Sequence, residues 1–338
     1  GDRAGNFAVQ NSDFILSLGC RLSLRQTGFN YESWARKAYV VSVDADINEL
    51  NKPSLHIDLK IKSEVKEFME RFNDYLDDNK IFKDQKWIKQ CKTWLEKYPV
   101  VLDEYRNKKF KKVNLYNFTD ILTKKLPENS VYVVGNASPC ISASQCATVK
   151  KGFKYIMNSG AAQMGYGLPA AIGACIGNKL KNVICVTGDG SIQMAIQELQ
   201  TIVTNKLNVK LFIINNDGYH SIRQTQTNYF NKNFVGIGND SKDLSFPSFE
   251  KIAYAYDLKY FKIENNKELE DKIVDILNAD GPFLCEVFVD KEQVFSPKPS
   301  SKKLEDGTMV SAPLEDLAPF LSREELKNNM YIPLVDEE

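Results

Sequence analysis

The chain has 338 residues, 44 Lys and Arg against 44 Asp and Glu, a formal net charge of zero and 43% apolar side chains. That length leaves room for more than one domain with a buried core, and the charge balance removes the electrostatic case for nucleic acid or an anionic membrane as partner. No apolar run reaches the length of a membrane span. With two histidines, His56 and His220, and seven cysteines at no C-x-x-C spacing, no zinc pattern and no Ser/His/Asp triad can be drawn; reduced core thiols in a cytoplasmic protein are expected.

In chain order, residues 14–18 and 38–43 read as parallel strands and residues 65–75 as an amphipathic helix, half of a nucleotide-binding-like layer expected over residues 1–78. Residues 79–113 are rich in Lys and Asp and are expected to form a helical linker; Trp87 and Trp94, at helical spacing, predict a helix packed through its aromatics onto a neighbour. A second α/β domain is expected over residues 114–290, opening with a helix at 116–125 and the strand VYVV at 131–134, followed by the loop GNASPC. The tail, 291–338, is proline-rich and has no helical pattern before SREEL at Ser322, where Ser and Glu form a capping-box signature.

The densest chemical signal lies inside the second domain. GDGSIQMAIQELQ at 188–200 and LFIINNDGYH at 211–220 place Asp189 and Asn216 27 residues apart, each just after a short apolar run. NVICVT and VKLFII read as buried strands, and IQMAIQELQTIVTN between them has helical spacing. A right-handed crossover makes such strands parallel, so Asp189 and Asn216 meet at one sheet edge. Gly188 and Gly190 let backbone amides approach an anion, and a helix starting near Ser191 points its N–H groups at the same spot. A diphosphate there needs a hard cation, for which Asp189, the Asn216 amide oxygen and the Gly218 carbonyl are ligands. Taken singly, Asp189 reads as a helix cap and Asn215 to Gly218 as turn chemistry; the joint spacing favours the site.

GDG followed by paired Asn at this distance, together with SGAAQMGYGLPAAIGA at 159–174, resembles the thiamine-diphosphate-dependent enzymes, in particular the acetolactate synthase-like family. The resemblance implies an α/β fold, with a doubly wound parallel sheet in the diphosphate-binding domain preceded by an incomplete Rossmann-like central domain. It implies thiamine diphosphate and Mg2+ as cofactors, with FAD left open. Asp189, Asn216 and Gly218 match the metal ligands, and Gly188, Gly190 and Ser191 the diphosphate loop. Asn136, Ala137 and Tyr219 join the cofactor-binding set. Met164 matches the apolar residue that bends the cofactor, and the Ala162 carbonyl the acceptor that orients its amine; these two are the catalytic candidates. Without that context, Met164 would read as ordinary packing.

The chain departs from the family's pattern in three places. Asn136 and Ala137 stand where acetolactate synthases carry Gln-His, Thr225 where they carry a pocket-shaping Trp, and Ile222 where simple pyruvate decarboxylases carry a proton-donating Glu. These departures favour a carboligase branch. Arg25 matches an Arg that meets substrate or flavin, although a surface Arg reads the same way. The tail corresponds to a lid in relatives, while residues 298–307 read equally as a surface strap. The family's carboxylate for the far side of the pyrimidine ring lies in an N-terminal domain of a neighbouring subunit that residues 1–338 do not match. The chain alone is therefore expected to be a fragment and inactive. The expected substrate is a 2-keto acid, acted on by a homodimer or homotetramer with its active site at the subunit interface. The alternatives are a non-catalytic or regulatory homologue, or a decarboxylase for a specialised metabolite related to polysaccharides.

Overall fold

The computed structural model describes residues 1–79, 84–179, 182–299, 301–303 and 309–335, which fall into two compact units: residues 1–100 with 296–338, and residues 101–295. The first unit opens with α1 (Arg3–Asn11), whose N-terminus is capped by Asp2 accepting from the Gly5 N–H at 2.7 Å. Then come β1 (Phe14–Leu18), α2 (Leu24–Thr27), β2 (Tyr39–Asp44), α3 (Ile47–Leu50), β3 (Leu59–Lys62), α4 (Val65–Asp78) and α5 (Gln85–Lys97). The three strands form a parallel sheet in the order β1-β2-β3, with Leu16 opposite Val41 and Val41 opposite Leu59. β3 does not show in the sequence pattern because Lys60 and Lys62 interrupt its apolar run on an edge strand. The aromatic packing expected of Trp94 is internal to this unit: its ring is buried against Phe7, Trp87 and Tyr331. Residues 80–83 of the expected linker lie outside the described residues.

The second unit is built on six parallel strands in the order β5-β4-β6-β7-β9-β8. In chain order it runs α6 (Leu115–Lys125), β4 (Val131–Val134), α7 (Ser138–Cys146), β5 (Lys154–Ile156), α8 (Gly167–Gly177), β6 (Val183–Gly188), α9 (Asp189–Ile192), α10 (Leu199–Thr204), β7 (Val209–Asn215), α11 (His220–Tyr229), α12 (Phe249–Ala255), β8 (Lys259–Ile263), α13 (Leu269–Leu277) and β9 (Phe283–Phe288). Helices cover both faces, the doubly wound arrangement expected. Val209, Leu211 and Ile213 of β7 pack with Leu168, Leu199 and Phe249 on one side, while Phe212 meets Phe118 of α6 on the other. Cys175, Cys185 and Cys285 are buried; the other four cysteines are half-buried.

The helix read at residues 192–205 is not one helix. α9 is four residues long and starts at Asp189; Ala195, with φ −146°, leaves helical geometry, and a 3-10 turn at Ile196–Glu198 precedes α10. Apolar spacing reports which way side chains face, and it survives such a break.

After residue 295 the chain returns to the first unit as β10 (Ser301–Lys303) and β11 (Met309–Ser311), paired antiparallel, and α14 (Arg323–Asn328), which Ser322 caps by accepting from the Glu325 N–H at 3.1 Å. Leu314 and Leu317 pack with Trp34, Val40 and Ile57, and Leu326 and Leu334 with Ala4, Phe7 and Trp94. Glu315 is buried there, paired to Arg36 at 2.8 Å and accepting from Gln10 at 2.7 Å. Within the 298–307 stretch, residues 300 and 304–307 lie outside the described residues. Among the described residues no helix is long and apolar enough to cross a membrane.

Candidate functional site

β4, β6 and β7 run in parallel with Val134 opposite Val186 and Gly188 opposite Ile214, so their carboxyl ends share one edge. β5 and β6 lie on opposite sides of β4, which makes the β4/β6 boundary a topological switch point, where α/β sheets open a crevice for ligands. The loops after β4, β6 and β7 carry Asn136, Asp189 and Asn216.

Asp189 sits at the first helical position after β6 and is 2% exposed. One carboxylate oxygen accepts from the Gly190 N–H at 2.7 Å and the other from the Gly218 N–H at 2.9 Å, so the two loops are tied through it. Burial pushes its pKa up to about 7, against the pull of those N–H groups, and the charge of Asp217 adds to the rise. Among the described residues no cation pairs with it, and no three His, Cys, Asp or Glu side chains converge as a metal cluster. The donor set is one carboxylate with neutral oxygens. That suits a hard cation whose other ligands are phosphate oxygens and water, whereas zinc would call for nitrogen or sulfur.

Asn216 is buried and turns its amide nitrogen to Ser138 Oγ at 3.4 Å, which leaves its oxygen as an acceptor. The Gly218 carbonyl accepts from the His220 N–H at 3.1 Å, and its second lone pair remains available to a cation. Gly218 has φ +120°, and a Cβ there would lie 1.9 Å from the Ile237 carbonyl oxygen; only glycine fits. Tyr219 lays its ring on Gly190, where a Cβ would come within 2.3 Å of it, and meets Phe246 edge-on. Of the three glycines in the predicted set, Gly190 and Gly218 therefore have steric reasons to be glycine, whereas a Cβ on Gly188 would meet nothing nearer than Ser191 Cβ at 4.0 Å.

The segment 159–167 is fastened to the same place. Ser191 spends its hydroxyl accepting from the Gly165 N–H at 3.0 Å, so it joins residues 159–167 to the GDG turn and does not cap a helix. Asn136 donates to the Ala162 carbonyl at 2.7 Å, and Ala162 holds that carbonyl from φ +49°. Ala137, at φ +57°, is the N-cap residue of α7. Met164 is 40% exposed, so it does not belong to the core. Ile222 is exposed on α11, and Thr225 lies one turn further along the same helix. In the first unit Arg25 is exposed on α2. Three residues with a part in this geometry escaped the sequence reading: Ser138, Asp217 and Arg223. The αL-prone Asn-Asn-Asp-Gly run is the one signal that could have found Asp217, whereas a buried Arg in SIRQTQ looks like any surface Arg.

A buried carboxylate, two closely packed glycines and a carboxamide one strand away thus stand together beside a topological switch point. In comparison with known families, residues 1–72 match the thiamine pyrophosphate enzyme central domain, and residues 135–287 the thiamine pyrophosphate enzyme C-terminal TPP binding domain. The chain belongs to the thiamine pyrophosphate enzymes. Within them it is similar to acetolactate synthase large subunits. Identity is 31% over 292 residues to that of Cyanidium caldarium, covering 86% of this chain and 48% of the relative. It is 27% over 326 residues to the probable large subunit of Methanococcus aeolicus, covering 90% and 51%. For the isozyme 2 large subunit of Escherichia coli (strain K12) it is 26% over 294 residues, covering 86% and 50%. The chain thus spans about half the length of the curated relatives it matches.

Proposed function

We propose that this chain supplies the diphosphate- and Mg2+-holding part of an enzyme that decarboxylates a 2-keto acid and joins the remaining acyl unit to a second carbonyl. The observation that carries the reading is Asp189, a carboxylate 2% exposed, fixed by two N–H groups and paired with no cation among the described residues. Asp189, the Asn216 side-chain oxygen and the Gly218 carbonyl would hold the metal. The Ser191 N–H would face the diphosphate, while the Gly190 N–H, expected beside it, donates to Asp189. Thiamine diphosphate, when bound, supplies the carbon nucleophile and the electron sink.

The chain's own residues then have positional tasks. Asn136 keeps the Ala162 carbonyl aimed by donating to it, and the half-exposed Met164 gives the cofactor an apolar support. Ile222 brings no proton to the reacting centre, which favours transfer to a carbonyl over simple protonation. Thr225 in place of a Trp leaves the acceptor pocket open to a group other than the one acetolactate synthases take. We place the protein in the cytoplasm as a homodimer or homotetramer with the site completed between subunits. A flavin in the first unit would show as visible absorbance of the purified protein.

Calorimetric titration of the chain with thiamine diphosphate is the direct test. Saturable binding that requires MgCl2 is the expected result. No binding with both present sinks the reading and favours a non-catalytic homologue. Product analysis after carbon dioxide release by the whole protein then separates carboligation from a specialised decarboxylation.

A further inference from the structure

Between the two expected metal ligands Asn216 and Gly218 stands Asp217, a non-glycine residue at φ +60°, in the left-handed region that non-glycine residues seldom adopt and Asp adopts more readily than most. Each of its polar groups is fastened. The N–H donates to Asn215 Oδ1 at 3.0 Å, the carbonyl accepts from Arg223 Nη2 at 2.8 Å, and carboxylate Oδ1 accepts from Asn239 Nδ2 at 2.6 Å. Asn215 is held in turn by donating to Glu286 at 2.6 Å, and Glu286 also accepts from Tyr260 at 2.6 Å.

Arg223 is the centre of this arrangement. It is 1% exposed, one helical turn beyond Tyr219, and its other arm pairs with Asp240, which Lys291 also grips at 2.7 Å. Its Nε is buried with no partner, so the guanidinium sits there for its two terminal nitrogens despite that cost. The 236–238 loop leaves no slack: a Cβ on Gly238 would lie 2.2 Å from the Asp217 carbonyl oxygen, and one on Gly218 1.9 Å from that of Ile237. Asp217 and Asp240 thus face Arg223 and Lys291, while Asp189 faces no cation among the described residues.

We propose that Arg223 is a positioning residue that locks Asp217 in its left-handed conformation, and thereby presents the Asn216 amide oxygen and the Gly218 carbonyl to a divalent cation beside Asp189. The inference rests on the thiamine diphosphate and Mg2+ reading above. A guanidinium suits the task because its planar fork sends two separate nitrogens in fixed directions, one to a backbone carbonyl and one to a carboxylate; an ammonium offers its donors from a single atom and fixes no such span.

The test is Mg2+ titration by calorimetry at saturating thiamine diphosphate, beside thermal unfolding of each variant without cofactor. Arg223→Met weakens Mg2+ binding by about tenfold or more, the usual effect of removing a residue that orients metal ligands. Adding Asp217→Gly to Arg223→Met recovers much of the lost affinity, because glycine holds φ +60° unaided and leaves no stray charge; a role in packing alone would not be rescued. Wild-type chain that binds no Mg2+ with the cofactor defeats the underlying reading and not the clamp. Wild-type binding with an unchanged Mg2+ Kd in folded Arg223→Met, or no rescue by the double variant, overturns the clamp. Where Arg223→Met does not fold, Arg223→Lys decides: a several-fold loss of Mg2+ affinity supports the clamp, and an unchanged Kd overturns it.

Discussion

The two units each bury a carboxylate almost completely, Glu315 at 1% exposure in the first and Asp189 at 2% in the second, and the chain treats them differently. Glu315 is answered by the chain itself, with Arg36 at 2.8 Å and the Gln10 amide at 2.7 Å. Asp189 receives two backbone N–H groups and, among the described residues, no cation. A buried charge whose partner is built in fastens segments together. One whose partner must arrive from outside marks a binding site, because the desolvation cost stays unrelieved until a ligand comes.

The largest effect that could break this contrast is at Asp189. Asp189→Asn should abolish Mg2+-dependent cofactor binding, a loss of at least about a hundredfold for a missing charged ligand, while changing the stability of the cofactor-free chain by less than about 3 kcal/mol, since it removes a buried charge but turns an amide NH2 toward one of the two N–H groups the carboxylate accepts. Retained binding would show that Asp189 is structural like Glu315. The mirror experiment is Glu315→Ala, which takes the carboxylate from buried Arg36 and should cost about 3–5 kcal/mol of stability in denaturant unfolding. Mg2+ and cofactor binding by the second unit should be untouched; a matched loss of binding would erase the distinction.

Acidity sharpens the comparison further. The Asp189 pKa is raised in the folded chain to about 7 from an ordinary 3.8, so the folded state holds the proton more tightly than the unfolded one. Its contribution to stability is fully present below pH ~4 and is lost as pH rises through about 7. The cation competes with that proton. Mg2+ affinity should fall about tenfold per pH unit below 7 and level off above it, with uptake of the ion releasing close to one proton. A pH-independent Kd between 5 and 7 would contradict the unrelieved charge. The smallest expected effect is at Met164: in the whole protein Met164→Ala should lower turnover roughly tenfold while cofactor affinity changes less, since the diphosphate anchors remain. Full turnover with a raised cofactor requirement would reassign Met164 to binding.

How far the sequence carried this is clearest at individual residues. β1 at Phe14–Leu18 and β4 at Val131–Val134 were readable to the residue, being short apolar runs between turn signals. β3 and β5 were not, because Lys60, Lys62 and Lys154 lie on brief edge strands where no second face demands an apolar side chain. The meeting of Asp189 and Asn216 was legible because handedness constrains a strand-helix-strand unit so strongly. The break at Ala195 was hidden because periodicity is indifferent to it. Arg223 and Glu286 were hidden for a different reason: whether a charged side chain is buried depends on the loops and strands that close over it, residues 236–241 for Arg223, and no local pattern encodes them.

The return of residues 311–335 to the first unit has a consequence for the order of events during synthesis. Phe7 and Trp94 share their core with Leu326 and Leu334, and Trp34 shares its core with Leu314 and Leu317. The 195 residues of the second unit are made in between. At a ribosomal rate of about 5–20 residues per second, the first hundred residues wait roughly 10 to 40 s before their last layer leaves the tunnel. Through that interval their indole and phenyl surfaces face the solvent of the cell, while the second unit, being one uninterrupted stretch, can close as soon as β9 emerges. Chaperone demand during production should therefore fall on the first unit, and a stalled or prematurely stopped chain should release a finished second unit attached to an unfinished first.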